Sequence, residues 1–288
     1  MGKSRQKVKA QKECFTCLYN QAKVWSKSVG EEYLATILRD KNGNSPSLTP
    51  PHIAITLYEK LALNQGVKDL YKQIKQECIA KAYEITKGVD VQELSLKEGI
   101  EFGALGNVID YGSASNFQIN GFDFQKEREK LEFACFDFLE FQKRAQKVKT
   151  TLIIADNAGE NLFDEILIQT LKTHFPSMSF YYFLRGEPII NDLTLQDLDN
   201  PYSQRIFSLA QVVSSGVRSP SFIYEHSTPQ AQEIYNQADL IIAKGMGNFE
   251  CMEEHKDPRV FFLFKIKCQV VANWLSLPLG KMVFKQNL

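Results

Sequence analysis

The fold is decided by residues 152–160, which read Leu152-Ile153-Ile154-Ala155-Asp156-Asn157-Ala158-Gly159-Glu160. Four apolar residues end abruptly at an acid and an amide, and Leu162 and Ile166 then follow at helical spacing. This pattern is typical of a buried strand that leads directly into a helix. Asp156 and Asn157 would therefore lie at the carboxyl end of the strand, where open α/β sheets bind their ligands.

The chemistry of Asp156 and Asn157 favours a metal ion that faces a phosphate group. Two oxygen-bearing side chains at one position can hold a hard divalent cation. The N-terminus of the following helix attracts an anion such as phosphate. The alternative is that Asp156 only caps the helix, and the residue types alone leave both interpretations open.

The second half of the chain predicts a mainly parallel sheet. Apolar runs rich in β-branched and aromatic residues alternate with helical patterns from Val148 onward. The predicted strands are Thr151–Ala155, Ser179–Leu184, Gln211–Ser214, Leu240–Ala243, Val260–Phe264 and Lys281–Phe284. Runs that are apolar on both faces indicate a sheet covered by helices on its two sides, which is an α/β architecture with α/β/α layers.

The first part of the chain predicts helices instead. Helical spacing runs from Cys14 to about Lys87, and Thr49-Pro50-Pro51 is typical of a helix start. We therefore expect a helical domain over residues 1–100 and an α/β domain over residues 101–288 that carries the metal site. Residues 1–12 hold five cations and no acid, and we expect a solvated, partly disordered arm rather than an RNA- or lipid-binding segment.

Composition excludes several classes of partner. The 288 residues include 34 Lys and Arg and 34 Asp and Glu, so no overall field attracts nucleic acid or a membrane surface. No apolar run approaches the roughly 20 residues that span a bilayer. The basic start has no apolar segment typical of a secretory signal. We expect a cytoplasmic protein without nucleic-acid or membrane partners, and the sequence leaves its oligomeric state open.

The six cysteines are too few and too scattered to form a disulfide scaffold. Cys14 and Cys17 form a single CxxC pair, which is half of a zinc site or a redox couple. A structural or vestigial role is favoured, because no second pair follows. A zinc site completed by Cys78 or Cys268 stays open.

Other predicted strands also end in residues suited to a metal or to phosphate. Asp192 follows the second strand and would provide a third oxygen ligand, although it also suits the cap of the segment after it. Lys244 and Gly245 follow the fourth strand, where a cation and a close backbone approach suit phosphate. No GxGxxG, GxxxxGK[ST] or GxSxG motif is present, which argues against a dinucleotide dehydrogenase, a Walker-type NTPase and an α/β-hydrolase.

A further pair lies outside the strands. Asn107 and Asp110 are three residues apart and share one helix face, from which they could reach the carboxyl edge of the sheet. As isolated polar residues of a helix they would more often face solvent or cap its end.

Taken together, these segments resemble the metal-dependent damage-control phosphatases, also known as the domain of unknown function 89. The resemblance covers nearly the whole chain after the basic arm, and its CxxC pair is similar to that of the stand-alone prokaryotic subgroup. The matching segments, in order, are Cys14–Cys17, Thr49–Pro51, Asp69–Lys75, Gly106–Asp110, Asp156–Glu160, Arg185–Asp192, Asp239–Glu250 and Lys267–Cys268.

The resemblance implies a helical N-terminal part on a Rossmann-like α/β domain. It also implies a divalent metal ion (Mn, Mg, Co or Ni) held by Asp156, Asn157 and Asp192. Lys244 is implied to contact phosphate. Gly245, Asn248 and Glu250 lie in the same segment and are expected on the substrate side, where Asn107 and Asp110 would face the site.

The expected activity is hydrolysis of a small phosphomonoester, such as a sugar phosphate or a damaged phosphorylated metabolite. Water positioned by the metal is favoured as the nucleophile over Asp156, with Asp110 or Glu160 as the base. Two alternatives stay open. One is an S-adenosylmethionine-dependent methyltransferase, and the other is a non-enzymatic binder of phosphorylated ligands.

Overall fold

The computed structural model describes residues 8–39, 48–108 and 124–288. The first part of the chain is helical, as predicted. Its helices are α1 (Lys12–Ala22), α2 (Lys27–Arg39), α3 (Pro50–Gln65), α4 (Lys72–Thr86), α5 (Leu96–Val108) and α6 (Phe124–Glu129). Val8 is buried and Ala10 donates a backbone hydrogen bond to Leu48, so the described end of the basic arm packs on the protein.

The remaining elements alternate strands with helices. The strands are β1 (Phe133–Phe136), β2 (Thr150–Ile154), β3 (Ser179–Leu184), β4 (Gln211–Ser214), β5 (Leu240–Lys244), β6 (Val260–Lys265) and β7 (Met282–Gln286). The helices between them are α7 (Phe138–Ala145), α8 (Glu160–His174), α9 (Ile206–Leu209), α10 (Pro229–Gln237), α11 (Met246–Met252) and α12 (Gln269–Leu275). All six predicted strands are present within one or two residues of their predicted ends.

These strands form one sheet in the order β1-β7-β6-β5-β2-β3-β4. All neighbouring pairs are parallel except β6 and β7, which confirms the predicted mainly parallel α/β sheet. Strand β1 was not predicted. Its four residues are half-buried and follow a helix closely, so their sequence carries too short a pattern to indicate a strand.

The strand order places one crevice at the centre of the sheet. From β2 the chain runs outward through β3 and β4, and it then crosses back to form β5 on the other side of β2. Helices that leave β2 and β5 on opposite sides open a crevice between the carboxyl ends of these strands. Asp156 follows β2 by two residues and therefore lies at this topological switch point.

Helix α5 packs tightly across α8 on one face of the sheet. A Cβ atom at Gly99 would lie 2.7 Å from Cβ of Thr170, and one at Gly106 would lie 3.2 Å from Cβ of Phe163. These glycines let the two helix backbones approach closely. As a result, the end of α5, including Asn107, reaches the carboxyl edge of the sheet.

The helical part has its own apolar cluster, built by α1, α2 and α3 around residues such as Leu57 and Tyr58. Helix α4 packs instead against α8 of the sheet layer. The domain boundary near residue 100 stays a prediction, and residues 109–123 beside it lie outside the described residues. Among the helices described, none is both long and apolar enough to cross a membrane.

A buried ion-pair cluster joins α4 to the segment after β3. Nζ of Lys75 lies 2.6 Å from Oδ2 of Asp69 and 2.8 Å from Oδ2 of Asp197, and its side chain is completely buried. Asp197 also accepts hydrogen bonds from the backbone and hydroxyl of Thr194. Lys75 therefore ties the helical part to the segment that follows Asp192.

Replacement of Lys75 by alanine should lower the free energy of unfolding by about 3 kcal/mol, because it leaves two carboxylates close together without their shared cation. Urea unfolding followed by circular dichroism measures this loss. Lys72→Ala is the matched control, since Lys72 lies on the same helix with its side chain exposed. Equal unfolding midpoints for the two variants would contradict the structural role of Lys75.

Candidate active site at the carboxyl edge of the sheet

The segments that follow β2 and β3 are joined by backbone hydrogen bonds. The N–H of Leu193 donates to the carbonyl of Asp156 at 2.8 Å, and the N–H of Ala158 donates to the carbonyl of Asn191 at 2.9 Å. Asn157 and Asp192 pair as an isolated antiparallel bridge. The structure thus brings together Asp156, Asn157 and Asp192, which the sequence predicted as ligands of one metal ion.

Two amides arrange the carboxylates of this cluster. Nδ2 of Asn157 donates to Oδ2 of Asp156 and to Oε1 of Glu160, both at 2.9 Å. Nδ2 of Asn107 donates to the same two oxygens at 3.2 Å and 3.0 Å. Oδ1 of Asn107 accepts from the backbone N–H of Lys265 at 2.9 Å, so this residue fixes α5 to both β6 and the site.

Arg185, which directly follows β3, connects the two aspartates. Its Nε donates to Oδ2 of Asp192 at 2.7 Å, and one terminal nitrogen lies 3.8 Å from Oδ1 of Asp156. The guanidinium is almost completely buried, and that terminal nitrogen has no hydrogen-bond partner among the described residues. The guanidinium therefore has a buried hydrogen-bond donor that can bind a further negatively charged group.

Lys244 lies at the end of β5 and is completely buried beneath the cluster. Its Nζ donates to Oδ1 of Asp164 at 2.5 Å and to Oε2 of Glu160 at 3.2 Å. The hydroxyl of Tyr182 donates to the other oxygen of Asp164 at 2.7 Å. Burial alone would lower the pKa of Lys244, but Asp164 and Glu160 raise it above its ordinary value, so the ammonium stays charged.

The turn after β5 supports the site from below. Gly245 has φ +82°, and a side chain there would overlap the Asp156 carboxylate. Asn248 is buried, donates to the carbonyl of Lys244 at 2.6 Å and accepts from the N–H of Phe222 at 2.7 Å. Gly245 makes room for Asp156, and Asn248 braces the turn from within the protein.

The buried part of this site has an excess of negative charge. Four carboxylates face two cations: Asp156, Glu160, Asp164 and Asp192 against Lys244 and Arg185. Burial raises the pKa of Asp156 well above its usual range, and the carboxylates of Glu160 and Asp192 raise it further. Burial also raises the pKa of Asp192, to about 6, although Arg185 opposes the shift.

This charge balance fits a divalent cation. Two carboxylates and one amide are hard oxygen ligands, which magnesium and manganese prefer. Two surplus negative charges match the charge of one such ion. Across residues 8–39, 48–108 and 124–288, no set of three or more His, Cys, Asp and Glu side chains is arranged to hold a metal. A bound ion would therefore need further oxygen ligands, because Asp156, Asn157 and Asp192 supply only two acids and one amide.

A pocket of about 240 Å³ opens above these residues. Asp156, Asn157 and Asp192 line it, together with Lys267. Its lining also includes residues of the helical part and of the segments after β5 and β6, among them Cys14, Cys17, Pro51, Glu250 and Cys268. The CxxC pair thus lies beside the predicted site, and Cys78 does not line this pocket.

The predicted catalytic acids have different positions. Asp110 lies outside the described residues. Glu160 is buried, and both of its oxygens accept hydrogen bonds, one from the two amides and the other from Lys244. In this arrangement Glu160 orients its neighbours, and it could act as a base only if one of these contacts opened.

Sequence reasoning assigned no role to Arg185 or Asp164. Arg185 is the first residue after a predicted strand. The same position after the first predicted strand is what made Asp156 a candidate. Asp164 lies one turn after Glu160 on the buried face of α8, where an acid among apolar residues indicates a buried partner.

Replacement of Gly245 by alanine should weaken binding of Mn²⁺ at least about tenfold, a change of roughly 1.4 kcal/mol, because the new methyl group displaces the Asp156 carboxylate. Calorimetric titration of the metal-stripped protein measures this change. Gly280→Ala is the control, since Gly280 has φ +84° but open space around it, and so shares only the backbone strain. Unchanged Mn²⁺ affinity in Gly245→Ala would remove Asp156 from the proposed metal site.

Comparison with known proteins identifies the family of this chain. A family profile described as the damage-control phosphatase ARMT1-like domain matches residues 10–283. Damage-control phosphatase PH1575 from Pyrococcus horikoshii is 31% identical over 97% of this chain and 99% of its own length. A damage-control phosphatase from Archaeoglobus fulgidus is 28% identical over 81% of each chain.

A solved structure shares the fold. The crystal structure of PH1575, a DUF89 family protein from Pyrococcus horikoshii, superposes with a TM-score of 0.79 and 30% identity. It covers 97% of this chain and 99% of that chain. These relatives support a phosphatase role and hence a hydrolase. With a fold, a switch-point carboxylate cluster and a profile that all agree, the chain belongs to the damage-control phosphatase family.

Proposed function

We propose that this protein is a metal-dependent phosphatase that hydrolyses small phosphomonoesters. The observation that carries the proposal is the pairing of Asp156 and Asn157 with Asp192 at the switch point of the sheet. The four buried carboxylates of the site exceed its two buried cations by two negative charges, which one divalent ion would balance. Family membership supports the phosphatase part of the proposal, and the metal dependence rests on the site itself.

Asp156, Asn157 and Asp192 would hold the ion, which we propose to be Mn, Mg, Co or Ni. When bound, such an ion neutralises phosphoryl oxygens and lowers the pKa of water. Arg185 holds Asp192 in a fixed orientation through its 2.7 Å hydrogen bond. Asn107 and Asn157 fix the direction of the Asp156 carboxylate from two sides.

Lys244 and Lys267 differ in burial, and we propose different roles for them around the phosphate. Lys244 is buried and bound by Glu160 and Asp164, so it offsets carboxylate charge from below. Its direct contact with phosphate stays a prediction, since that contact needs its hydrogen bond to Glu160 to be exchanged. Lys267 is exposed, lines the pocket and lowers the pKa of Asp156 through its charge, so we propose it as a cation that meets the incoming phosphate.

The remaining assignments belong to the proposal as well. Attack by water is favoured over attack by Asp156, because a carboxylate committed to a metal is a weaker nucleophile. Asp110 and Glu160 stay candidate bases. The partner is a small phosphorylated metabolite, and its identity, along with a cytoplasmic location, stays a prediction.

Asp156→Asn should lower metal-dependent phosphate release by about a thousandfold or more, because an amide cannot supply the anionic ligand. The assay measures inorganic phosphate from a panel of sugar phosphates, phosphorylated cofactors and p-nitrophenyl phosphate. Metal-stripped protein is assayed with Mn²⁺, Mg²⁺, Co²⁺ or Ni²⁺ added back. Asp199→Asn, at an exposed position, is the control and should retain full turnover.

The outcome separates the alternatives. Release that persists in Asp156→Asn or in the presence of excess chelator would refute the metal site. A protein that binds metal and phosphorylated ligands but releases no phosphate would be a binder. Binding of S-adenosylmethionine without any divalent metal would favour methyl transfer.

A further inference from the structure

Glu250 has a position that the reaction at Asp156 does not explain. It belongs to α11, is 8% exposed, and lines the same pocket as the metal-binding residues. Within residues 8–39, 48–108 and 124–288, neither a hydrogen bond nor an ion pair engages its carboxyl group. Burial raises the pKa of Glu250 to about 8, with no neighbouring cation to oppose the shift.

The groups next to Glu250 in this pocket are uncharged. Cys14 and Cys17 of α1 and Cys268 at the start of α12 line the same pocket. Burial raises the pKa of Cys14 to about 11, and loss of hydration raises those of Cys17 and Cys268. At neutral pH these groups stay thiols, so they neither repel an anion nor attract a cation strongly.

The pocket is lined by charged side chains of both signs. At the carboxyl edge of the sheet, a divalent ion and a phosphate group would offset each other, and Lys267 lies close enough to lower the pKa of Asp156. The other charged side chains that line the pocket, among the described residues, are Glu250 and the exposed Glu13. The pocket that would receive a phosphomonoester therefore contains a buried carboxyl group, and a cationic group on the ligand would stabilise its ionised form.

A buried carboxyl group without a partner is costly unless a ligand supplies one. Complementary charge is the usual way in which a protein selects a ligand at such a position. We infer that the alcohol portion of the substrate carries an ammonium group that pairs with Glu250, so that the substrates are phosphomonoesters of short amino alcohols. This inference rests on the proposed phosphatase function and adds the substrate class to it.

A pair of nearly isosteric esters tests the inference directly. 2-Aminoethyl phosphate and 2-hydroxyethyl phosphate differ in one terminal group, which is ammonium in the first and hydroxyl in the second. The wild-type protein should show at least about tenfold higher kcat/KM for the amino ester at pH 7, since a hydrogen bond to a charged group contributes more than a neutral one.

Glu250→Gln should reduce this preference to within about twofold, because glutamine keeps the shape and the hydrogen bond of glutamate but removes its charge. Glu233→Gln is the matched control, since Glu233 is exposed on α10 away from the pocket, and it should keep the wild-type preference. Calorimetric binding of 2-aminoethylphosphonate against propylphosphonate to the wild-type protein gives a second measurement that does not require the variant to fold.

The possible results distinguish this inference from the proposed function. If p-nitrophenyl phosphate is hydrolysed with metal while the wild-type protein treats the two esters equally, the amino-alcohol inference falls and the phosphatase stands. A preference that persists in Glu250→Gln also overturns the inference, because another residue would then bind the ammonium group. If no ester, including p-nitrophenyl phosphate, releases phosphate with any of the four metals, both proposals fall.

Discussion

The structure depends on an excess of carboxylate charge held in the interior at the carboxyl edge of the sheet. Buried acids repel one another and lose hydration, so each needs a fixed partner if the fold is to stay stable. The chain supplies two buried cations and two amides for this purpose, and their positions depend on strand ends and on helix α5. The backbone pairing of the segments after β2 and β3 is what forces Asp156 and Asp192 together.

The same charge excess explains why distant elements are tied to this edge. Asn107 brings α5 to the site, and glycines on α5 allow its close packing on α8. Tyr182 of β3 contributes a hydroxyl to Asp164, which in turn holds Lys244. Each contact satisfies a group that would otherwise be buried without a partner, so the polar network and the apolar core around it stabilise one another.

The sequence predicted those parts of the site that are local to a strand end. Asp156, Asn157 and Lys244 could be located because each follows a strongly apolar run, and Asp192 because only a short segment separates it from the end of β3. The direction of Lys244 could not be predicted, since its inward orientation depends on Asp164, an acid on another element. Strand β1 and the position of the CxxC pair escaped prediction for the same reason: both are fixed by packing between residues far apart in sequence.

The lining of the pocket draws on both parts of the chain, and the proposed roles separate chemistry from selectivity. Backbone pairing of the segments after β2 and β3 sets the spacing of the proposed metal ligands. The rest of the lining draws on α1, α3 and the segments after β5 and β6, with side chains such as Cys14 and Glu250 that are not among the proposed metal ligands. Substitutions there could alter which alcohol portion fits without disturbing Asp156 or Asp192. On our inference, the buried carboxyl group of Glu250 is the feature of this lining by which the protein would select its substrate.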